Sequence, residues 1–202
     1  MVREKGLEPV WKKYVEATGE LSRLCYREEI EAAMRTKDLS GISLLGLQDF
    51  PGQGTALVGM LDSHLEPKPF DFAKPEKFRA FFKEQLVLVG LEKYTYEEGE
   101  TLCADVQVAN YGKTDCAGDL EWTLWAYMPD EGLDSVRKVA VKSGHMSAVS
   151  CPKGTLSKAG TLKIELNNKI TAPVRCNLTV KIADAVNSYP IWIYKNEMPK
   201  CQ

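Results

Sequence analysis

Residues 41–61 read GISLLGLQDFPGQGTALVGML and carry the most distinctive pattern of the chain. The apolar run at residues 42–47 ends at Gln48-Asp49-Phe50-Pro51, and a glycine-containing loop follows. A short apolar run of this kind is typical of a strand buried on both faces, although periodicity alone leaves a helix open. The run predicts a buried strand with polar side chains at its carboxyl end, where barrels and open α/β sheets bind ligands.

The residues before this stretch have a helical pattern. Apolar side chains between residues 7 and 26 recur at close to the helical period, with Gly19 as an expected joint, and residues 27–35 favour a further helical segment. We expect Trp11 and Tyr14 to be core residues, with stacking on a sugar as the alternative. The glutamates at positions 28, 29 and 31 are expected on a solvated helix face.

The residues after this stretch change from helical to alternating periodicity. Pro75 at a first helical position predicts a connector helix over residues 75–84. From residue 86 onwards apolar and polar residues alternate, most clearly in Val174–Ile182, and turn residues separate about seven predicted strands. The predicted fold class is α+β by content: a helical, partial α/β segment over residues 1–85, then an antiparallel immunoglobulin-like β-sandwich over residues 86–202.

Composition narrows the classes of function. The chain has 202 residues, with 26 basic and 28 acidic side chains, so no strong field attracts nucleic acid or an anionic membrane. No apolar run approaches the roughly 20 residues of a membrane span. We therefore expect neither nucleic acid nor a membrane as a partner.

The six cysteines show no CxxC spacing, and only two histidines accompany them. Zinc sites in proteins use closely spaced ligand pairs, so we expect no metal site and no cofactor. No secretory leader precedes the predicted fold, and we expect a cytoplasmic protein with reduced, mostly buried thiols.

Two segments together resemble a known family. The sequence LQDFPGQGTALVG at residues 47–59, with YREEIEAAMRT at residues 26–36, is similar to a stretch of bacterial proteins related to glycoside hydrolase family 2. The resemblance covers the first third of the chain. It implies the last helix and strand of a (β/α)8 barrel, followed by a β-sandwich. Because a complete barrel needs about 250 residues, the resemblance implies that residues 1–85 are only the end of one.

The resemblance implies carbohydrate binding without catalysis. Retaining glycosidases use two carboxyl groups about 5 Å apart. In barrels of this kind the catalytic glutamates lie upstream of the matched stretch, so no catalytic residue is assigned. The resemblance implies that Gln48, Asp49, Phe50 and Gln53 face the sugar pocket, and amide, carboxylate and aromatic groups suit that role. The alternative is structural, with Asp49 capping the turn and Phe50 filling the core.

The alternating region offers a second candidate surface. Trp122 shares a face with Leu120 and Leu124 and is expected in the core, whereas Trp125 and Tyr127 fall on the opposite face. Exposed aromatic pairs of this kind mark binding or docking surfaces.

Two functions follow from these patterns. The first is the C-terminal, accessory region of a glycoside hydrolase whose intact form binds carbohydrate. The alternative is a non-enzymatic β-sandwich module that binds carbohydrate or protein. Because a strand without barrel neighbours has unpaired edges, we also expect self-association through residues 42–47, or packing of this run against the sandwich.

Overall fold

The computed structural model describes residues 2–52, 57–129, 136–167 and 170–196. The chain divides into two compact units, Met1–Lys83 and Glu84–Gln202. Its secondary structure is mixed, with the helices in the first unit and two sheets in the second, so the prediction of α+β content is confirmed. None of the helices in these ranges is both long and apolar enough to cross a membrane.

One long helix dominates the first unit. Helix α1 spans Trp11–Arg35, a 3-10 helix spans Asp71–Ala73, and α2 spans Pro75–Arg79. The joint expected at Gly19 is wrong, because α1 continues through this residue. A Cβ atom at Gly19 would lie 2.2 Å from Cε1 of Phe72, so the glycine makes room for a ring that packs directly on the helix backbone. The aromatic contact explains a helix-breaking residue within a helix.

The buried strand predicted over residues 42–47 is wrong. This run forms no strand, and the side chain of Leu45 is 95% exposed. Gly46 has a φ of 85°, a left-handed conformation that interrupts an extended strand. The Tyr26 hydroxyl donates to the Gly46 carbonyl oxygen at 2.7 Å and holds the irregular backbone near α1. The apolar run is therefore an irregular segment and not a strand of a sheet among the described residues.

Self-association through residues 42–47 stays a prediction. Its basis is now the exposed apolar side chains of this run, because the expected strand edges are not formed. Light scattering on the purified chain will test it, and a monomer at all concentrations would contradict it.

The connector helix is shorter than predicted. Pro75 does occupy the first turn of α2, but the helix ends at Arg79 and residues 80–84 form turns. The ring of Phe78 contacts the rings of Tyr26, Phe81 and Phe82, with centroid distances of 5.7, 4.9 and 6.2 Å. Of these rings, Tyr26 and Phe78 pack against the small core of the first unit, which is built on Met60, Phe72 and Ala73.

Within its described residues, the second unit contains eight strands in two sheets. Their bounds are β1 Gln85–Leu91, β2 Thr95–Glu97, β3 Thr101–Asn110, β4 Cys116–Pro129, β5 Val136–Cys151, β6 Thr155–Glu165, β7 Val174–Ile182 and β8 Ala185–Tyr194. One sheet has the order β1-β3-β6 and the other β2-β8-β7-β4-β5. All pairs are antiparallel except β2 with β8, which is parallel.

In most of the strands the alternating pattern places one face in a common core, whereas β1 is buried on both faces and β5 only near its C-terminal end. In β7 the apolar positions from Val174 to Ile182 are buried and the intervening side chains are partly or fully exposed, as predicted. Buried residues from both sheets belong to one hydrophobic cluster, and Trp122 packs at its margin. Two sheets sharing one apolar core explain why period two dominates this half of the sequence.

A buried polar network joins the two sheets. Asn187 of β8 donates to the carbonyl oxygen of Val87 in β1 at 2.9 Å and to the Tyr189 hydroxyl at 2.8 Å. The same hydroxyl accepts the backbone N–H of Val89 at 3.0 Å. Because β1 and β8 belong to different sheets, these side chains supply hydrogen bonds that neither sheet makes internally.

Candidate functional site

The first unit contains a cavity of ≈ 540 Å³ beside α1. Its walls come from α1, from residues 57–60 and from residues 68–72, and they are mainly apolar. The lining residues are Trp11, Val15, Thr18, Gly19, Ser22, Asp49, Leu57, Val58, Gly59, Met60, Lys68, Phe70 and Phe72. A mainly apolar pocket with a few polar groups is the usual form of a small-molecule site. We call this cavity the α1 pocket.

Two short backbone contacts bring Asp49 to the α1 pocket. The N–H of Asp49 donates to the Leu61 carbonyl oxygen at 2.9 Å, and the N–H of Leu61 donates to the Leu47 carbonyl oxygen at 3.0 Å. Between them, Gly59 approaches so closely that an added Cβ would lie 2.4 Å from the carbonyl carbon of Gln48. Only a residue without a side chain allows this approach.

Asp49 forms a buried ion pair at the wall of the α1 pocket. Its Oδ1 lies 2.8 Å from Lys68 Nζ and also accepts the backbone N–H of Gly59 at 2.9 Å. Lys68 Nζ donates a further hydrogen bond to the Leu57 carbonyl oxygen at 3.2 Å. The side chains of Asp49 and Lys68 are 9% and 18% exposed, respectively. A carboxylate has several acceptor positions and an ammonium has three donors, so this pair can also bind hydroxyl groups of a ligand.

The 3-10 helix beside the α1 pocket is held by charged groups. The backbone N–H of Asp71 donates to Glu16 Oε1 of α1 at 3.2 Å. The Asp71 carboxylate pairs with Lys74 at 2.8 Å and with Lys77, and these hydrogen bonds lower the pKa of Asp71 to about 2. The carboxylate therefore stays charged at any ordinary pH. These contacts position Phe70 and Phe72, whose rings stack with centroids 5.6 Å apart.

Of the three predicted sugar contacts within the described residues, the structure brings Asp49 alone to the α1 pocket. Asp49 lies in the wall, whereas Gln48 and Phe50 are exposed and are not among its lining residues. Phe50 is 53% exposed, so the alternative of a core role is wrong. Gln53 lies outside the described residues. Sugar contacts by Gln48, Asp49, Phe50 and Gln53 stay predictions.

Sequence reasoning missed part of the pocket. The core role expected for Tyr14 is wrong, because its side chain is 60% exposed. Trp11 is half-buried and lines the α1 pocket. The role of Lys68 was not predicted, because this residue lies in a proline-rich connector. The one feature of the sequence that could have indicated it is a charged residue between Pro67 and Pro69. Within the described ranges, no cluster of three or more His, Cys, Asp or Glu side chains is placed to bind a metal.

The second unit carries an aromatic face on its five-stranded sheet. Trp125 and Tyr127 of β4 lie on the side opposite the buried Leu124 and Ala126, and both rings are half-buried. Lys138 Nζ lies 4.3 Å from the centroid of Trp125, and the guanidinium of Arg175 lies 5.3 Å from that of Tyr127. Lys138 and Arg175 flank Tyr127 on the two neighbouring strands, and Trp192 lies next to Arg175. We call these five residues the aromatic face.

The cations change the chemistry of this surface. Each covers part of an aromatic ring, where cation–π attraction is expected. In the part of the chain that the structure describes, Lys138 and Arg175 each lie over an aromatic ring. The face therefore combines aromatic rings with two positive charges and suits a partner that carries negative charge.

Comparisons with known proteins give a domain family but no function. Residues 100–195 match the family described as "Domain of unknown function (DUF8488)", and this range lies within the second unit. No curated protein matches the chain.

Three solved structures illustrate the weak structural similarity of this chain to known proteins. Spo0M, a sporulation control protein from Bacillus subtilis, has 18% identity and a TM-score of 0.42 over 58% of this chain and 51% of its own. A beta-glucosidase from Listeria innocua has 14% identity and a TM-score of 0.39, with 55% and 16% covered. A cycloisomaltooligosaccharide glucanotransferase from Paenibacillus sp. has 14% identity and a TM-score of 0.40, with 54% and 14% covered. The chain thus spans about half of the first protein and a small part of the two enzymes. Its weak structural neighbours include glycoside-active enzymes but do not single out glycoside hydrolase family 2.

Proposed function

We propose that this chain is the accessory, carbohydrate-binding end of a cytoplasmic glycoside hydrolase related to family 2, without catalytic carboxylates of its own. The observation that carries the proposal is the α1 pocket, where Asp49 from the family-like motif meets Lys68 below an aromatic wall. In this proposal residues 1–85 are the end of a (β/α)8 barrel, and residues 86–202 are an immunoglobulin-like β-sandwich.

The residue chemistry supports a sugar ligand in the α1 pocket. Sugars present hydroxyl pairs at their edges and apolar C–H groups on their faces. Lys68 can donate to a hydroxyl oxygen, Asp49 can accept from a hydroxyl group, and Trp11 with Phe70 offers apolar surface to the ring. Asp49 already forms an ion pair with Lys68 and accepts the Gly59 N–H. A ligand would therefore meet a preorganised site.

Removing the Lys68 ammonium tests the first proposal. We expect Lys68→Met to weaken binding of monosaccharides, measured by calorimetric or NMR titration of the full chain, by about 10- to 100-fold, because a hydrogen bond to a charged donor is lost. Lys12→Met is the matched control, since Lys12 lies on α1, is exposed and does not line the pocket.

Two results would count against this proposal. Equal affinities of Lys68→Met and the unchanged chain would exclude the α1 pocket as the sugar site. Turnover of aryl glycosides by the chain, abolished by one glutamate substitution, would show that it is an enzyme in its own right.

The second candidate function is a non-enzymatic binding module that uses the aromatic face. The observation that favours it is the pair of cations stacked on Trp125 and Tyr127. Rings covered in this way are poor platforms for a neutral sugar. An acidic carbohydrate or an acidic protein surface is the better match, because it can pair with Lys138 and Arg175 while contacting the rings.

We expect Trp125→Ala to reduce binding of an acidic polysaccharide, such as a polyuronate, by at least about 10-fold, because aromatic anchors dominate such surfaces. Tyr111→Ala is the control, since Tyr111 is an exposed aromatic residue of the same unit outside the aromatic face. Titration at several salt concentrations should show weaker binding at high salt. Binding that survives Trp125→Ala unchanged would exclude this surface.

A further inference from the structure

Two cysteines lie directly opposite each other in the five-stranded sheet. Cys116 is the first residue of β4, Cys151 is the last residue of β5, and the two are register partners in the antiparallel pair. Opposite residues of antiparallel strands have Cα atoms about 4.5–5.5 Å apart and side chains on the same face. Disulfides need Cα separations of about 4.4–6.8 Å, so the backbone already has a suitable spacing.

Both thiols point into the core and are reduced in this structure. Cys116 is 2% and Cys151 is 0% exposed, both belong to the hydrophobic cluster, and neither is in a disulfide. Burial, followed by the neighbouring Cys151, raises the pKa of the Cys116 thiol. The Cys151 thiol donates to the Val108 carbonyl oxygen at 3.1 Å. The closed sheet therefore shields both thiols from reagents, and its apolar surroundings disfavour the Cys116 thiolate.

The position of the pair at the end of the sheet gives a route to reagents. Cys116 follows the exposed residues 113–115, and Cys151 precedes the exposed residues 152–154. The two loops touch through the Lys153 N–H, which donates to Asp115 Oδ1 at 2.9 Å. Strand ends open locally at much lower free energy than the whole domain, so the thiols can be exposed without loss of the core.

We propose that Cys116 and Cys151 form a dithiol modification site that low-molecular-weight disulfides, such as oxidised glutathione, convert reversibly to an intramolecular disulfide. One thiolate attacks a sulfur of the small disulfide, a mixed disulfide forms and one small thiol leaves. The other cysteine attacks the mixed disulfide, and the second small thiol leaves. The two protein thiols lose two protons and two electrons, and the small disulfide is reduced to two thiols.

The disulfide would tie β4 to β5 at the edge of the sheet. A cross-link that closes a loop restricts the unfolded chain and stabilises the folded state. We therefore expect the oxidised protein to have a Tm higher by roughly 5 °C or more.

The test uses the full chain with Cys25, Cys103 and Cys201 replaced by serine, which leaves three cysteines. After incubation with oxidised glutathione, intact mass should fall by two hydrogen atoms, and peptide mapping should find the Cys116–Cys151 link. Dithiothreitol should restore the starting mass and Tm. Cys176 is the internal control, because burial raises the pKa of its thiol to about 11 and its register partners are Ala126 and Ile191.

Three results would overturn the proposal: no reaction, a stable glutathione adduct, or a link that involves Cys176. Cys116→Ser and Cys151→Ser variants should each lose the link and the rise in Tm. The peptide mapping uses the chain that retains Cys116 and Cys151. It therefore tests the proposal even where one of the serine variants does not fold.

Discussion

Replacing Asn187 with alanine is expected to lower the free energy of unfolding of the second unit by about 2–4 kcal/mol. Asn187 is 4% exposed and its amide nitrogen donates to both the Val87 carbonyl oxygen and the Tyr189 hydroxyl. Alanine removes both bonds while leaving their acceptors buried. Unsatisfied buried groups cost about 1–3 kcal/mol each, which is more than a hydrogen bond between exposed groups contributes.

The size of this effect follows from the position of the network. The Val87 carbonyl lies in β1 of the three-stranded sheet, whereas Asn187 lies in β8 of the other sheet. The Tyr189 hydroxyl lies 3.4 Å from the same carbonyl oxygen, which is long for an O–H donor. It therefore replaces the lost amide donor poorly. Loss of Asn187 therefore removes its hydrogen bonds to Val87 and Tyr189 and weakens the connection between the two sheets.

Urea unfolding followed by circular dichroism will measure the change. Tyr189→Phe should cost about 1–3 kcal/mol, because the Val89 N–H loses its acceptor, and Tyr194→Phe is the control, since Tyr194 is 51% exposed on the same strand. Equal stabilities of the Asn187→Ala variant and the unchanged chain would show that this network does not join the sheets.

The strands of the second unit could be predicted because one interaction decides them. Strand β7 (Val174–Ile182) has one face in the common core. The hydrophobic effect therefore acts on every second residue of this strand. The same pattern predicted Trp122 in the core, where it packs at the margin, and Trp125 on the other side. It did not predict Lys138 over Trp125, because the contact depends on the register between β4 and β5.

The first unit was predicted less well because its backbone depends on single residues. The apolar residues at positions 42–47 indicated a strand. The positive φ of Gly46 and the hydrogen bond from Tyr26 instead determine the course of the backbone there. Gly19 indicated a break, yet the break is absent because the Phe72 ring occupies the space a side chain would need. A contact between residues 19 and 72 is not encoded in the local periodicity of either segment. Asp49 was a candidate from its motif, but its partner Lys68 required the folded chain.

Replacing Gly59 with alanine is expected to disrupt the wall of the α1 pocket and to lower local stability there by about 1–3 kcal/mol. The added Cβ would lie 2.4 Å from the Gln48 carbonyl carbon and 2.6 Å from the Asp49 nitrogen. These are backbone atoms, so no side-chain rotation relieves the clash, and the segments on either side must separate. The Gly59 N–H then moves away from Asp49 Oδ1, and the buried carboxylate loses one of its two donors.

Hydrogen exchange separates this local effect from global unfolding. The amides of Asp49 and Leu61 donate across the contact at 2.9 and 3.0 Å, so their exchange should accelerate by about 5- to 150-fold in Gly59→Ala. Amides of the second unit should keep their rates. Gly90→Ala in β1 is the control, because its Cβ would meet Asp105 O at an ordinary 3.5 Å. Unchanged exchange at Asp49 and Leu61 would mean that Gly59 does not hold this wall. A loss of sugar binding in the same variant would tie that wall to the ligand, because Gly59 lines the α1 pocket and its N–H helps to hold Asp49 beside Lys68.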